Sequence, residues 1–330
     1  MSPVDSPADV HELTSWLRSR PASDLPARHA KLPPGHPSSG SYPPSVGGRT
    51  PEFRHLTDSE YADHVAHVAD RLTDRWVLGM ASHVRHTVDD ARAVWSDQRD
   101  VMHLAIIEDI YDRATEVPCE GAAILAGGLP GAGKTTILAV DAGDGLSQYF
   151  VINPDLIKTE LAGRQLIPLI KGLSPMEASD LVHEETSYLA KRLAAKAQAD
   201  GRNLIWDVTM SRTETAIGRI ESLRASGYAR IDGIFVDVPI AVSARRAAAR
   251  HRKGHDDYLA GYGSGDRYIS PATILNHADS AWGSGNRRNF EQLKPRFDGW
   301  RVYDNSSEGV APALVASGST ARHHRERQRR

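Results

Sequence analysis

Cysteine is almost missing. Cys119 stands alone among 330 residues, so no internal disulfide can form, a reducing compartment is expected, and the thiol reads by default as buried. No apolar run approaches the about 18 residues that a membrane span needs. The opening, MSPVDSPADVHEL, has no basic start leading into an apolar stretch, so neither a signal peptide nor a membrane partner is predicted and the cytoplasm is the expected compartment. An excess of one charge is missing too: the formal net charge is -2, which gives no global pull toward nucleic acid or anionic lipid, so any phosphate affinity has to come from local clusters. No sustained heptad pattern announces a coiled coil. What is present, 40% hydrophobic and 25% charged residues, is the composition of a globular protein with a sizeable core.

Residues 21–51 hold eight of the 19 prolines and read as an extended segment that cannot bury a core of its own. A short helix is predicted before it, around Asp9–Arg18. A better one opens at Thr57 with Glu60 three residues on, the capping-box spacing, and its apolar face is read as Tyr61, Val65, Val68, Leu72 and Trp76. A further helix is predicted from Thr87 to Thr115, burying Val88, Ala91, Trp95, Met102, Ile106 and Ile110. From Pro118 the pattern changes. Short apolar runs at Ala122–Ala126, Tyr149–Ile152, Leu204–Val208, Gly233–Val238 and Trp300–Tyr303 alternate with helical stretches, which predicts an α/β fold: a parallel sheet flanked by helices, its site at the carboxyl ends of the strands. The chain is accordingly divided into a proline-rich and helical region (1–115), an α/β domain (116–308) and a basic, disordered tail (309–330).

Gly128-Leu-Pro-Gly-Ala-Gly-Lys-Thr135 fits G-x-x-x-x-G-K-[ST] without a mismatch, between a predicted strand and a predicted helix. Gly128, Gly131, Ala132 and Gly133 let the backbone curl around phosphates with its N–H groups inward at a helix N-terminus. Lys134 adds a point charge on the β- and γ-phosphates. Thr135 offers Mg²⁺ a hard oxygen, and Thr136 follows it on the same turn. ATP or GTP with Mg²⁺ is therefore the predicted cofactor set.

Other candidates follow strands. Asp155, in Asn153-Pro154-Asp155, either accepts the proton of an attacking hydroxyl or caps the helix that starts beside it. Asp207 ends an apolar run where a carboxylate holds the Mg²⁺ shell or merely begins a turn, and Thr209 points the same way two residues on. Glu185 falls on the apolar face of a helix, at a cost unless it binds something. Arg246 and Arg250 share a helix face, ahead of a glycine-rich stretch, Gly254–Asp266, read as a mobile flap, and of Arg267; these arginines clamp a transferred phosphoryl group or form a solvated basic face.

Taken in order, LAGGLPGAGKTT, VINPDLIK, VHEETSYLAKRLAAKA, NLIWDVTMSR, Ser226–Tyr228, VDVP, ARRAAARH, RYISP and VYDNS resemble the zeta-toxin family of P-loop kinases across roughly residues 118–308. The resemblance implies a phosphotransferase that moves the ATP γ-phosphate onto a hydroxyl of a small acceptor, UDP-N-acetylglucosamine being the best-known one, and implies an antitoxin protein as partner. By the same resemblance Asp155 matches the catalytic base, Lys134 and Thr135 the phosphate and metal contacts, Glu185, Asp207 and Thr209 substrate-side positions, and Arg250 and Arg267 the lid arginines. Asp207 stands where these toxins can carry Glu. Two rival readings remain beside this one: a kinase for a dinucleotide, a polynucleotide 5′-hydroxyl or an antibiotic, and a nucleotide-switched module that binds a protein. Nucleic acid is otherwise not an expected partner.

Overall fold

The computed structural model describes residues 56–89 and 92–320. The helix read at Asp9–Arg18, the proline-rich stretch at 21–51, Ala91 and the last ten residues of the tail lie outside them. The longer helices are α1 (Asp58–Thr73), α2 (Asp97–Asp112), α3 (Lys134–Ala142), α4 (Pro154–Gly163), α5 (His183–Ala199), α6 (Thr213–Ala225), α7 (Ile240–Leu259) and α8 (Gly285–Leu293). The strands of the main sheet are β1 (Ala122–Gly128), β2 (Phe150–Ile152), β3 (Leu204–Asp207), β4 (Arg230–Asp237), β5 (Gly299–Asp304) and β6 (Ala313–Ser319). Two compact units are formed: one from the chain up to Asp112 with Pro154–Arg192 and Ala249–Tyr268, the other from Arg113–Asn153, Leu193–Ala248 and the chain from Ile269 onward.

In the first unit, helix α1 begins as its sequence dictates. The Thr57 hydroxyl accepts from the Glu60 N–H, and the Glu60 carboxylate accepts from the Thr57 N–H at 2.8 Å. The helix ends at Thr73, earlier than its apolar periodicity suggests, because Asp74 turns extended and caps a new short helix through the N–H groups of Trp76 and Val77. That break rotates the face: Val77 is buried and Trp76 is 64% exposed. The expected helix from Thr87 is also shorter than read. Thr87–Asp89 pairs antiparallel with Val94–Trp95, a choice that β-branched residues favour, and α2 starts only at Asp97. Met102 and Ile106 are buried as expected, together with Arg99 and His103, whereas Val88 is exposed.

Helix α7 runs on to Leu259, so the flap read as starting at Gly254 begins only after that residue. Gly254 is there for packing: a Cβ built on it would stand 2.4 Å from the Asp266 Cβ and 2.7 Å from the Asp266 backbone nitrogen. The returning loop therefore lies directly on the helix.

In the second unit the sheet runs β6-β5-β4-β1-β3-β2. All pairs are parallel except β6 on β5, the mostly parallel sheet that the alternating pattern predicts. Its central strands are buried on both faces, and Ile124, Ala126, Ile205, Ile234 and Val236 pack with Leu129, Ile137 and Leu138 of the loop and helix that follow β1. The chain leaves β1 for one edge and crosses back to β4 on its other side, which makes the carboxyl end of β1 the switch point where α/β sheets bind ligands. Residues 313–319, assigned to the tail from their position in the sequence, form β6: two apolar positions, Leu314 and Ala316, register with Tyr303 and Val302 of β5. Cys119, read as buried, is exposed in the loop before β1.

Two helical glycines separate packing from propensity. Gly218 in α6 has nothing within 4 Å of where a Cβ would be, so Gly218→Ala should raise stability by about 0.5–1 kcal/mol, the usual helix preference. Gly254→Ala should instead lower it by about 1–3 kcal/mol through overpacking against Asp266. Chemical denaturation of the two variants checks the pair; a Gly254→Ala protein more stable than the parent would contradict the close approach.

Candidate active site

The phosphate loop forms where β1 runs into α3, and each of its glycines is imposed by a neighbour. Gly128, Gly131 and Gly133 have φ of 147°, 72° and 84°, values that side-chain-bearing residues rarely adopt. A Cβ on Gly128 would come within 2.7 Å of the Val236 carbonyl oxygen, one on Gly131 within 3.0 Å of the Ser243 carbonyl oxygen, and one on Gly133 within 2.5 Å of the Asn305 amide. Asn305 donates to the Ala132 carbonyl at 2.7 Å, Ser243 donates its hydroxyl to the Pro130 carbonyl at 2.6 Å, and Arg246 reaches the Asn305 carbonyl at 2.8 Å. Arg246, read as part of a phosphate clamp, thus braces the strand end that steadies the loop. Such a cradle, built of backbone without side chains at the head of a helix, fits a nucleotide polyphosphate.

Lys134 opens α3, and its ammonium stands 3.6 Å from the Asp207 carboxylate at the end of β3. The other Asp207 oxygen accepts from the Asn153 side chain at 2.8 Å. Register explains the meeting: Asp207 pairs with Ala126 of β1, and Trp206 with Ile152 of β2, so three strand ends converge on one nearly buried carboxylate. Thr135 and Thr136 are exposed on the first turn of α3. The Thr135 hydroxyl and the Asp207 carboxylate are hard oxygen donors of the kind that Mg²⁺ takes while keeping several of its waters.

The loop after β3 is strained and tied down. Met210 has φ 58°, a conformation costly for a side chain of its size. Its carbonyl accepts from Asn289, and the Thr209 carbonyl from Asn286, both on α8. The Thr209 hydroxyl is hydrogen-bonded to that of Ser211. Asn286, Asn289 and Asn305 were invisible to sequence reasoning, since nothing local marks an asparagine that satisfies a distant carbonyl.

Asp155 lies in the first turn of α4 in the other unit, half-exposed, and is ion-paired with the Arg267 guanidinium at 3.1 Å. Arg250 pairs with Asp266 at 3.0 Å, and Asp266 also accepts from the Arg267 backbone N–H at 2.7 Å. The two predicted lid arginines are therefore linked through one aspartate, and one of them sits on the predicted base.

Glu185 is another matter. It is fully buried and both of its oxygens are taken: Arg99 donates to them at 2.6 and 2.8 Å, and His103 shares the first at 2.6 Å. Its cost on the apolar face is met from within the protein. Burial pushes the Glu185 carboxyl up, but hydrogen bonds from His103 and Arg99, with the charge of Arg99, outweigh it and hold the group down at about 2. Burial pushes the His103 imidazole down against the opposing pull of Glu185, so the cluster is a neutral imidazole beside a compensated ion pair. Arg99 also donates to the Leu166 carbonyl and lines a cavity of about 490 Å³ with Met80, Arg85, His86, Met102 and Ile167. Glu185 thus acts by aiming Arg99 at that wall.

With Glu185 depressed from its ordinary 4.5 to about 2, its contribution is complete above pH 4.5 and is lost as pH falls toward 2. His103, also depressed, adds loss of the same sign below its ordinary 6.5. Glu185→Gln leaves Arg99 buried without a counter-charge, at a cost of about 3–5 kcal/mol. Melting curves from pH 7 to 2.5 should show that variant already destabilised at pH 7 and losing much less further stability through the acid range than the parent. Parallel pH profiles would contradict the ion-pair assignment.

No curated protein matches this chain. Among solved structures, one of the PezAT chromosomal toxin–antitoxin system of Streptococcus pneumoniae aligns at 17% identity over 66% of this chain and 81% of that one, TM-score 0.48. The AvrRxo1-ORF1:-ORF2 complex with ATP aligns at 17% identity over 72% and 76%, TM-score 0.49. The Zeta toxin family model matches residues 108–310, a stretch that begins in α2, takes in the phosphate loop, Asp155, Asp207 and both lid arginines, and closes just after β5. With more than half of its length matched, the chain belongs to the Zeta toxin family.

Proposed function

We propose that the protein is an ATP-dependent phosphotransferase that moves the γ-phosphate onto a hydroxyl of a small acceptor, a UDP-N-acetylglucosamine-type nucleotide sugar. The observation that carries this reading is the pairing of a complete phosphate loop, with Lys134 on Asp207, with a half-exposed carboxylate, Asp155, held by Arg267. A nucleotide switch needs the first; it has no use for the second.

In this reading the glycine loop and Lys134 bind the nucleotide phosphates, with Thr135 and Asp207 as the protein donors for Mg²⁺, which offsets charge on the phosphates when bound. Asp155 orients the acceptor hydroxyl and takes its proton as the oxygen bonds to the γ-phosphorus and the bond to the β-phosphate oxygen breaks, releasing ADP. Arg267 and Arg250 balance charge on the transferred group. Glu185 serves the acceptor side indirectly, through Arg99, and Thr209 from the strained loop. The family resemblance extends the reading to physiology: an antitoxin protein is the partner that would hold such an activity in check, and the cytoplasm is where nucleotide sugar and ATP are both available.

The direct test is ³¹P NMR of the full chain with ATP and Mg²⁺ against UDP-sugars, dinucleotides, 5′-hydroxyl oligonucleotides and aminoglycosides, with Lys134→Ala as the blank. A new phosphomonoester on UDP-N-acetylglucosamine, lacking in the blank, is expected. A phosphoester on another acceptor alone would refute the nucleotide-sugar assignment, and ATP consumed only to inorganic phosphate with every acceptor would refute phosphotransfer.

A further inference from the structure

Within the first unit, away from Asp155 and from Glu185, three side chains converge on one atom of a fourth. The Glu177 carboxylate is fully buried, and its Oε1 lies 2.6 Å from His64 Nε2, 2.9 Å from His251 Nε2 and 3.2 Å from His255 Nδ1. Its other oxygen accepts from the Ser174 N–H at 2.7 Å. A carboxylate oxygen has two lone pairs to offer, so three imidazole nitrogens around it exceed its capacity. The excess shows: His255 Nδ1, on a side chain 7% exposed, makes no hydrogen bond. A buried polar nitrogen facing a carboxylate that is already saturated is an arrangement that calls for an explanation.

We propose that His64, Glu177 and His251, with His255 alongside, form a transition-metal site of the zinc type. One ring nitrogen each of His64 and His251 and a Glu177 oxygen all lie within 4.8 Å of one another. Metal–ligand bonds of about 2.0–2.1 Å put tetrahedral ligands about 3.3 Å apart, so His64 Nε2 at 2.6 Å and His251 Nε2 at 2.9 Å from the Glu177 oxygen would each move outward from it by less than about 1 Å. Two imidazoles and one carboxylate suit Zn²⁺ and leave a fourth position for water or a further donor; His255 stands one helical turn from His251, its Nδ1 3.2 Å from the same Glu177 oxygen. His251 already has the outer partner that a ligating histidine needs, since its Nδ1 is 2.7 Å from the Tyr61 hydroxyl; that hydroxyl can accept from Nδ1–H, the tautomer in which Nε2 binds metal.

The site would have a structural consequence. His64 and Tyr61 belong to α1, which precedes the residues that the family model matches, whereas His251 and His255 lie on α7, one residue past Arg250 and just before the loop that carries Asp266 and Arg267. A bound ion would pin α1 to the end of α7 and so stiffen the element that carries the lid arginines. This assignment rests on the histidine–glutamate geometry and stands whatever the acceptor of the phosphotransferase is.

The test uses the full chain, stripped with EDTA and returned to buffer, then titrated with Zn²⁺ against a chromophoric chelator and with Co²⁺ by visible absorption. One equivalent bound at micromolar or lower concentration, with cobalt d–d bands of four- or five-coordinate intensity, is expected. His64→Ala and His251→Ala should each abolish that equivalent, with the circular dichroism of metal-free His64→Ala matching that of the parent. Asp207→Asn and a His323→Ala, His324→Ala double variant should keep it. Absence of cobalt bands in the parent, or a full equivalent retained by both His64→Ala and His251→Ala, would overturn the site and leave a hydrogen-bonded strut.

Discussion

One buried carboxylate organises the nucleotide half of this protein. Asp207 receives Lys134 on one oxygen and Asn153 on the other, and it can do so because parallel register brings the ends of β1, β2 and β3 level. A lysine at the head of a phosphate loop is useful only when its ammonium is held over the place where the phosphates will lie, and Asp207 holds it there. The Asn153 contact fixes the end of β2.

The remainder of the site follows the same economy of short ties. Asn305 and Ser243 brace the loop through its own carbonyls, Asn286 and Asn289 hold the strained turn after β3, and Asp266 joins Arg250 to Arg267. Each tie is between groups far apart in sequence. None requires an unusual residue, only a polar side chain at the one place where a backbone group or a guanidinium would otherwise go unmet.

That difference in range decides what was legible beforehand. The phosphate loop is a local object: its glycines, lysine and threonine are adjacent, and the apolar run before them and the helix after them are adjacent too, so fold class and the shape of the loop were legible together. The capping box at Thr57 and Glu60 was readable for the same reason. Glu185 was flagged correctly as a costly buried charge, yet its partners Arg99 and His103 lie on α2, and no local pattern discloses them. Periodicity overran at Trp76 and Thr87 because it does not sense where an aspartate caps a new helix or where a β-branched pair folds back. Composition misled at Gly254, a glycine that serves close packing within a helix, and at residues 313–319, whose place in the sheet depends on the vacant edge of β5. The histidines around Glu177 are scattered over nearly 200 positions, and only folding makes them a set.

The proposed function is a division of labour in which the loop with Lys134 and Asp207 would bind nucleotide and Asp155 would serve transfer without contributing to that binding. The measurement that tests it most directly is calorimetric ATP–Mg²⁺ affinity beside the phosphoryl-transfer rate in the parent and in Asp155→Asn. The account predicts affinity within about two-fold of the parent, with transfer slowed by on the order of 10²-fold or more. An Asp155→Asn protein that transfers phosphate at the parent rate, or that loses nucleotide affinity in proportion to its rate, would contradict it.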